Sequence, residues 1–177
     1  MALTLKKEDG SGFSDANAYA DVADGDSYHD GHLYASAWTG ASAGEKAAAL
    51  VMASRIVDAQ MQFRGIRAVG GQALQWPRAG CRDEDLGPES DDGFVAADEV
   101  PLGIIGATCE LARELLVADR TGAPAGEGLK YYNDGTAQTG YDPADRRPIL
   151  PALVQSMLTK FGSMRRSRSG SVRLVRT

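Results

Sequence analysis

Ser42-Ala43-Gly44-Glu45 is a capping box, and the stretch it opens constrains this chain more than any other. The Ser42 hydroxyl can accept from the backbone N–H of Glu45, and the Glu45 carboxylate can reach back. Behind it, Ala47, Leu50, Val51, Ser54, Val57 and Met61 recur at helical spacing, and Ala53, Ile56 and Phe63 widen the apolar face. The pattern predicts a long helix buried on two sides and ended by Gly65. A loop follows in which Pro77 restricts Trp76 to an extended backbone, with Arg64, Arg67 and Arg78 around it.

Three further helices are expected. Asp24 reads as the N-cap of a short one reaching about Tyr34, weakened by Gly25 and Gly31, with Trp38 packing that segment onto the core. Before it, residues 17–20 read as an extended entry or short strand. Val100-Pro101 opens another helix, with Ile104, Ile105, Thr108, Leu111, Ala112, Leu115 and Leu116 as its face and Gly122-Ala123-Pro124 as its stop. The last starts at Pro148 or Pro151 and runs to about Phe161, striped by Leu150, Leu153, Val154, Met157, Leu158 and Phe161. Residues 79–100 form an acidic loop. Residues 121–147 are irregular or a hairpin, with a strand at 129–132 and a turn at Asn133-Asp134-Gly135. The fold class is therefore mainly α: a small helical bundle of about four helices with long loops, a possible β-hairpin and an extended C-terminal tail. Residues 1–161 make the helical domain and 162–177 the tail.

The charge is unevenly placed. Lys160, Arg165, Arg166, Arg168, Arg173 and Arg176 stand without an acid in the last 18 residues. The whole chain carries −5, so the first 159 residues carry −11 once those six positive charges are set aside. An acidic body argues against a general nucleic-acid surface on it, and the basic tail points to an anionic partner. Within the tail, Val172, Leu174 and Arg176 alternate with Arg173 and Val175, a short strand pattern suited to pairing with another chain. The apolar runs fall short of the roughly 20 residues that span a bilayer, and the N-terminus lacks a signal-like apolar segment, so cytosolic assembly without a membrane partner is expected. In that compartment Cys81 and Cys109 are expected to be free thiols.

No residue pattern points to catalysis, a cofactor or a metal. His29 and His32 share a helical face with Asp26 and Asp30 nearby, but a third ligand at defined spacing is missing, and a structural role is the reading preferred. Asp83-Glu84-Asp85 and Asp91-Asp92-Gly93 do not match a calcium loop. There is neither a phosphate-cradling glycine loop nor a nucleophile signature. For Trp76, Pro77 and Arg78 two readings stand. The first is a core plug that anchors the loop, with Arg64, Arg67 and Arg78 pairing with nearby acids. The second is a subunit contact, since Trp and Arg dominate interface hot spots.

The order of these features resembles a family of long-tailed double-stranded-DNA phages and prophages. It runs Asn17-Ala18-Tyr19, then Val22-Ala23-Asp24-Gly25-Asp26-Ser27-Tyr28, Trp38, an alanine-rich helix ending Phe63-Arg64-Gly65, Leu74-Gln75-Trp76-Pro77-Arg78, and Val100-Pro101 before Ala107-Thr108-Cys109-Glu110-Leu111-Ala112. The family carries the label "putative DnaT-like single-stranded-DNA-binding protein", and its members resemble head-to-tail connector (adaptor) proteins. The resemblance covers roughly residues 1–120 and is tightest at residues 74–78.

It implies a structural virion protein of the head–tail interface, assembled in the host cytoplasm. Such proteins form a homo-oligomeric ring, usually of twelve copies, beneath the portal protein. The ring extends the channel for double-stranded DNA and meets the next connector, stopper or tail-terminator protein. Arg165, Arg166, Arg168, Val172, Arg173, Leu174, Val175 and Arg176 are then the expected portal-docking tail. Residues 64–100 and 125–147 are expected to make subunit or lumen contacts. The other class is a single-stranded-DNA-binding, primosome-like protein, which needs a basic surface interleaved with aromatics.

Overall fold

The computed structural model describes residues 3–83, 93–122 and 147–165 in full, and residues 131–133 and 138–140 as backbone. It is mainly helical. The described elements are α1 (Val22–Asp30), α2 (Ser36–Thr39), α3 (Ala43–Gln60), β1 (Met61–Phe63), β2 (Ile66–Arg67), β3 (Arg78–Ala79), α4 (Leu102–Val117), β4 (Tyr131–Asn133), β5 (Gln138–Gly140), α5 (Ala152–Leu158) running into a 3-10 turn (Thr159–Phe161), and β6 (Gly162–Met164).

The centre is α3 against α4, with α1, α2 and α5 also packed on α4. The Ser42 capping box forms as its sequence predicts, with the Glu45 carboxylate accepting from the Ser42 N–H at 2.8 Å. Leu50, Ala53, Ser54 and Val57 of α3 are fully buried, as are Ile104, Ala107, Thr108, Cys109, Leu111 and Ala112 of α4. Small residues at 53, 107 and 112 let the two helices approach closely. Leu150, Val154, Leu158 and Phe161 close the core from the C-terminal side.

Several boundaries differ from expectation. The first helix is capped by Asp21, not Asp24. Asp21 and Asp24 form a reciprocal capping box, and the helix stops at Gly31. Trp38 sits on a separate short helix. The long helix ends at Gln60 instead of running to Gly65, because residues 61–63 pair antiparallel with β6 in the register Met61↔Met164, Gln62↔Ser163 and Phe63↔Gly162. Strand β6, expected in the tail, is thereby part of the body. Helix α4 stops at Val117, before Gly122. Strands β4 and β5 pair, Tyr132 opposite Thr139, but Asn133, expected in the turn, lies in β4 opposite Gln138; residues 129–130 and 134–137 lie outside the described residues.

The N-terminal segment is tied down by a buried carboxylate. Glu8 accepts backbone N–H groups from Gly10 (3.0 Å), Gly12 (2.8 Å) and Phe13 (2.9 Å), and Ala18 forms an isolated parallel bridge to Lys7. Three donors satisfy what would otherwise be a costly buried charge. His29 is structural too: it is buried, and its Nε2 donates to the Cys109 carbonyl at 3.1 Å. Cys81 and Cys109 are both buried free thiols, and burial pushes the Cys109 thiol up to about 12.

Trp38 reaches the core through a gap left by Gly25. A Cβ at Gly25 would lie 2.3 Å from the Trp38 ring, whose Nε1 donates to Asp26 at 2.8 Å. Alanine in place of a helical glycine gains about 1 kcal/mol, whereas overpacking of this kind costs about 1–3 kcal/mol. Gly25→Ala is therefore expected to be net destabilising in urea titration. Gly44→Ala, with nothing within 4 Å of its Cβ, is expected to raise the midpoint by up to about 1 kcal/mol equivalent.

Candidate docking interface

Where α3 ends, the chain makes a bend, and Gly65 is what allows it. Its φ is +70°, and a Cβ there would fall 2.3 Å from the Ala79 carbonyl oxygen. The bend brings β2 alongside β3, in the register Ile66↔Ala79 and Arg67↔Arg78. It also leaves three backbone carbonyls turned toward one spot, which Arg78 fills. Its Nε donates to Arg64 O (2.7 Å). Its Nη2 donates to Gly65 O (2.6 Å) and Phe63 O (3.5 Å), and its Nη1 to Gln75 O (3.0 Å) and Gln75 Oε1 (3.2 Å).

Beneath it Trp76 is fully buried, with edge-on contacts to Phe63 (5.8 Å between centroids) and Phe161 (5.7 Å); the Trp76–Pro77 peptide is cis. Trp76 is thus the loop's core plug. The expected pairing of its arginines with acids is corrected: Arg78 is held by carbonyls, Arg64 by Lys160 O (3.1 Å) and Arg67 by Gln72 O (3.4 Å). A guanidinium fork satisfies several carbonyls of a tight bend at once, and no acid of the sequence falls inside that bend.

A second knot fastens the loop to α3. The Tyr19 hydroxyl donates to Asp58 and accepts from Gln75 N (3.0 Å) and Trp76 N (3.2 Å), while Asp58 Oδ2 accepts from Gln75 N (3.0 Å). Burial raises the Asp58 carboxyl to about 6. The Tyr19 and Gln75 hydrogen bonds and the charges of Arg67 and Arg165 oppose that rise.

These ties assemble a basic edge that is not contiguous in sequence. Arg64 N donates to Phe161 O (2.9 Å), and Arg165 N donates to Gln60 O (2.7 Å), with its Nε on Met61 O (3.0 Å). Arg64, Arg67, Lys160 and Arg165 are all exposed around the two small sheets. Arg64, Arg67 and Arg165 bond backbone carbonyls, whereas Lys6, Lys7, Lys46, Arg113 and Arg120 elsewhere on the body are in ion pairs with carboxylates. Lys160 lies 3.3 Å from Asp83. Ile66 (72% exposed) adds an apolar element beside these cations. The edge can hold an anionic surface by charge and by hydrogen bonding; among the described residues it contains no nucleophile or acid–base pair. In sequence Arg64, Arg67 and Arg78 stand far from Arg165. The structure joins Arg165 to the loop arginines through β1 and β6. Of the expected docking tail, Arg166, Arg168, Val172, Arg173, Leu174, Val175 and Arg176 lie outside the described residues.

Arg78→Lys keeps the charge and loses the fork, so an unchanged melting temperature would contradict the role given to Arg78. The expected loss is about 2 kcal/mol in denaturant unfolding. Asp58 carries the opposite sign from a salt-bridged acid. Its folded-state pKa lies above the unfolded value, so the folded protein binds its proton more tightly. The stability this gives is full below about pH 4 and is lost as pH rises through about 6. Relative to Asp58→Asn, the wild-type chain is expected to gain roughly 1 kcal/mol between pH 7.5 and pH 5, read from paired unfolding curves.

No curated protein and no solved structure matches the chain. A family model does, across residues 1–177: the chain belongs to the family described as "Putative DnaT-like ssDNA binding protein".

Proposed function

We propose that this protein is a structural head-to-tail connector of a phage-like particle, without enzymatic activity. The observation that carries the reading is the basic edge on an otherwise acidic body, placed where the chain runs on into Arg166, Arg168, Arg173 and Arg176. The edge, and the basic sequence that follows it, are assigned to docking on an acidic neighbour, here the portal. The acidic remainder suits a channel wall, because like charge denies double-stranded DNA the counterion release that makes it stick. Copies of the chain assemble as a ring, of twelve on the resemblance noted above, with the tail-side connector, stopper or terminator on the opposite face. Arg64 and Arg67 are offered as portal or subunit contacts; Trp76, Pro77 and Arg78 hold the loop that presents them.

The second reading, single-stranded-DNA binding, has two supports. One is the family's own description. The other is Phe94, 43% exposed and joined by an isolated antiparallel bridge to Arg82, whose neighbour Asp83 lies 3.3 Å from Lys160. Single-strand binding rests on aromatic stacking as well as charge. Both tryptophans are buried, so Phe94 is the aromatic near this edge with a surface to offer among the described residues.

Purified full-length protein is expected to co-sediment saturably with tailless, portal-bearing heads, and a 1–165 chain, cut beyond β6, to bind at least tenfold more weakly. Failure of the full-length chain to bind heads sinks the connector reading. For the alternative, a single-stranded oligonucleotide bound through four edge cations gives a log–log salt slope of about −3. Phe94→Ala then weakens it by about tenfold or more. Head binding that is unchanged in Phe94→Ala separates the two readings.

A further inference from the structure

One carboxylate stands behind the basic edge. Asp58 lies in the last turn of α3, and the elements packed around it bring three arginines toward it. Arg165 arrives from the C-terminal side. Its N–H donates to Gln60 O at 2.7 Å and its Nε to Met61 O at 3.0 Å, two and three residues beyond Asp58. Arg67 arrives from β2. Its Nη1 donates to Gln72 O (3.4 Å), in the loop whose Gln75 N donates to Asp58 Oδ2 (3.0 Å). Tyr19, from the N-terminal segment, donates its hydroxyl to Oδ1. Arg78 on β3 is turned into the carbonyl bend, and the Asp58 charge still acts on it. On α3 itself, Arg55 stands one turn back and is exposed.

Two of these arginines belong to the surface assigned above to docking. Arg67 and Arg165 are exposed and bond carbonyls, so both keep their charge toward solvent. Both also act on Asp58 through space, holding its carboxyl down against the burial that raises it. That attraction is mutual. An anion that docks on the two guanidiniums weakens their hold on Asp58, and an ionised Asp58 repels that anion. Docking at the edge and protonation of Asp58 therefore favour one another, by linkage. The neutral carboxyl still accepts from Gln75 N, so the loop stays fastened to α3 in both states. What changes is the charge behind the edge, not its shape.

We propose that Asp58 is a proton-linked regulator of the basic edge: docking of an anionic partner on Arg67 and Arg165 takes up one proton at Asp58, and acid tightens that docking. The proton comes from solvent and goes to a carboxylate oxygen; no other bond changes. The inference rests on the edge being a docking surface and names how that surface is regulated.

The test binds a short sulfated oligosaccharide, whose charge is constant over the range used, to the full-length chain. From pH 7.5 to pH 5.5 the wild-type affinity is expected to rise about threefold more than that of Asp58→Asn. His29 and His32, which also titrate in this range, are the same in both chains and cancel in the comparison. Equal pH ratios in the two chains overturn the proposal. A second readout needs no variant. In isotope-labelled wild-type protein, the midpoint of the Asp58 carboxyl carbon titration is expected to move up by about half a pH unit when the probe is saturating. A midpoint that stays in place or moves down overturns the proposal. Arg67→Gln tests the surface itself and is expected to weaken probe binding severalfold at pH 7.5. Binding that Arg67→Gln leaves unchanged removes the edge as a docking surface, and the regulator with it. Binding that Arg67→Gln weakens, with no pH effect tied to Asp58, removes the regulator alone and leaves the edge standing.

Discussion

The Arg78 guanidinium, donating to the carbonyls of residues 63, 64, 65 and 75, is the contact on which the rest of the basic edge depends. Without it the bend after α3 would bury carbonyl oxygens with no donor, at a cost of about 1–3 kcal/mol each. With it, the bend is rigid and the strand β1 that precedes it is free to pair with β6. That pairing fixes where Arg165 emerges, and so where the basic tail begins. One buried cation therefore places four exposed ones. Trp76 acts in the same direction from below: its ring fills the space between Phe63 and Phe161, which belong to the two ends the bend brings together.

Local signals in the sequence were legible where local physics decided them. The Ser42 capping box, the α3 and α4 stripes, the hairpin and the start of the last helix are all set by residues a few positions apart. What escaped was set at long range. Residues 61–63 carry helix-compatible residues and still form a strand, because pairing with residues 162–164 outweighs a weak propensity. The same partner explains why β6 was read as tail: a three-residue strand with a glycine has no signature until its complement is known. Asp21 was passed over for Asp24 because both are good caps, and the reciprocal bond assigns Asp21 the cap and Asp24 the third helical position. Ion pairing is the sequence expectation for the arginines, but Arg78 is satisfied by carbonyls that a glycine bend gathers in a stretch without an acid.

The basic edge was invisible for a related reason. Net charge averages over the chain, and an acidic body argued against a cationic surface on it. The structure sorts the charges: Lys6, Lys7 and Lys46 are paired with Asp15, Asp24 and Asp26, while Arg113 and Arg120 are neutralised on α4 and its exit by Glu110 and Glu114. Arg64, Arg67 and Arg165, bonded to carbonyls, keep their full charge toward solvent. A body of net −11 can present a positive edge because, among the described residues, Lys6, Lys7, Lys46, Arg113 and Arg120 are spent on carboxylates.

This sorting bears on which anion the edge suits. An exposed ion pair is worth at most about 1 kcal/mol, so Arg64, Arg67 and Arg165, with Lys160 already 3.3 Å from Asp83, make a weak site on their own. In the proposed ring, repetition changes that: each copy would add its edge to a shared collar, and the contribution of a weak contact multiplies with the number engaged. A flexible single strand gains less from one copy with Phe94 as the exposed aromatic beside the edge among the described residues, because its affinity comes from stacking successive bases. On the proposed connector reading, the edge meets a rigid, repeated acidic surface through many copies at once; on the single-strand reading, its affinity rests on the exposed Phe94 ring and the same cations.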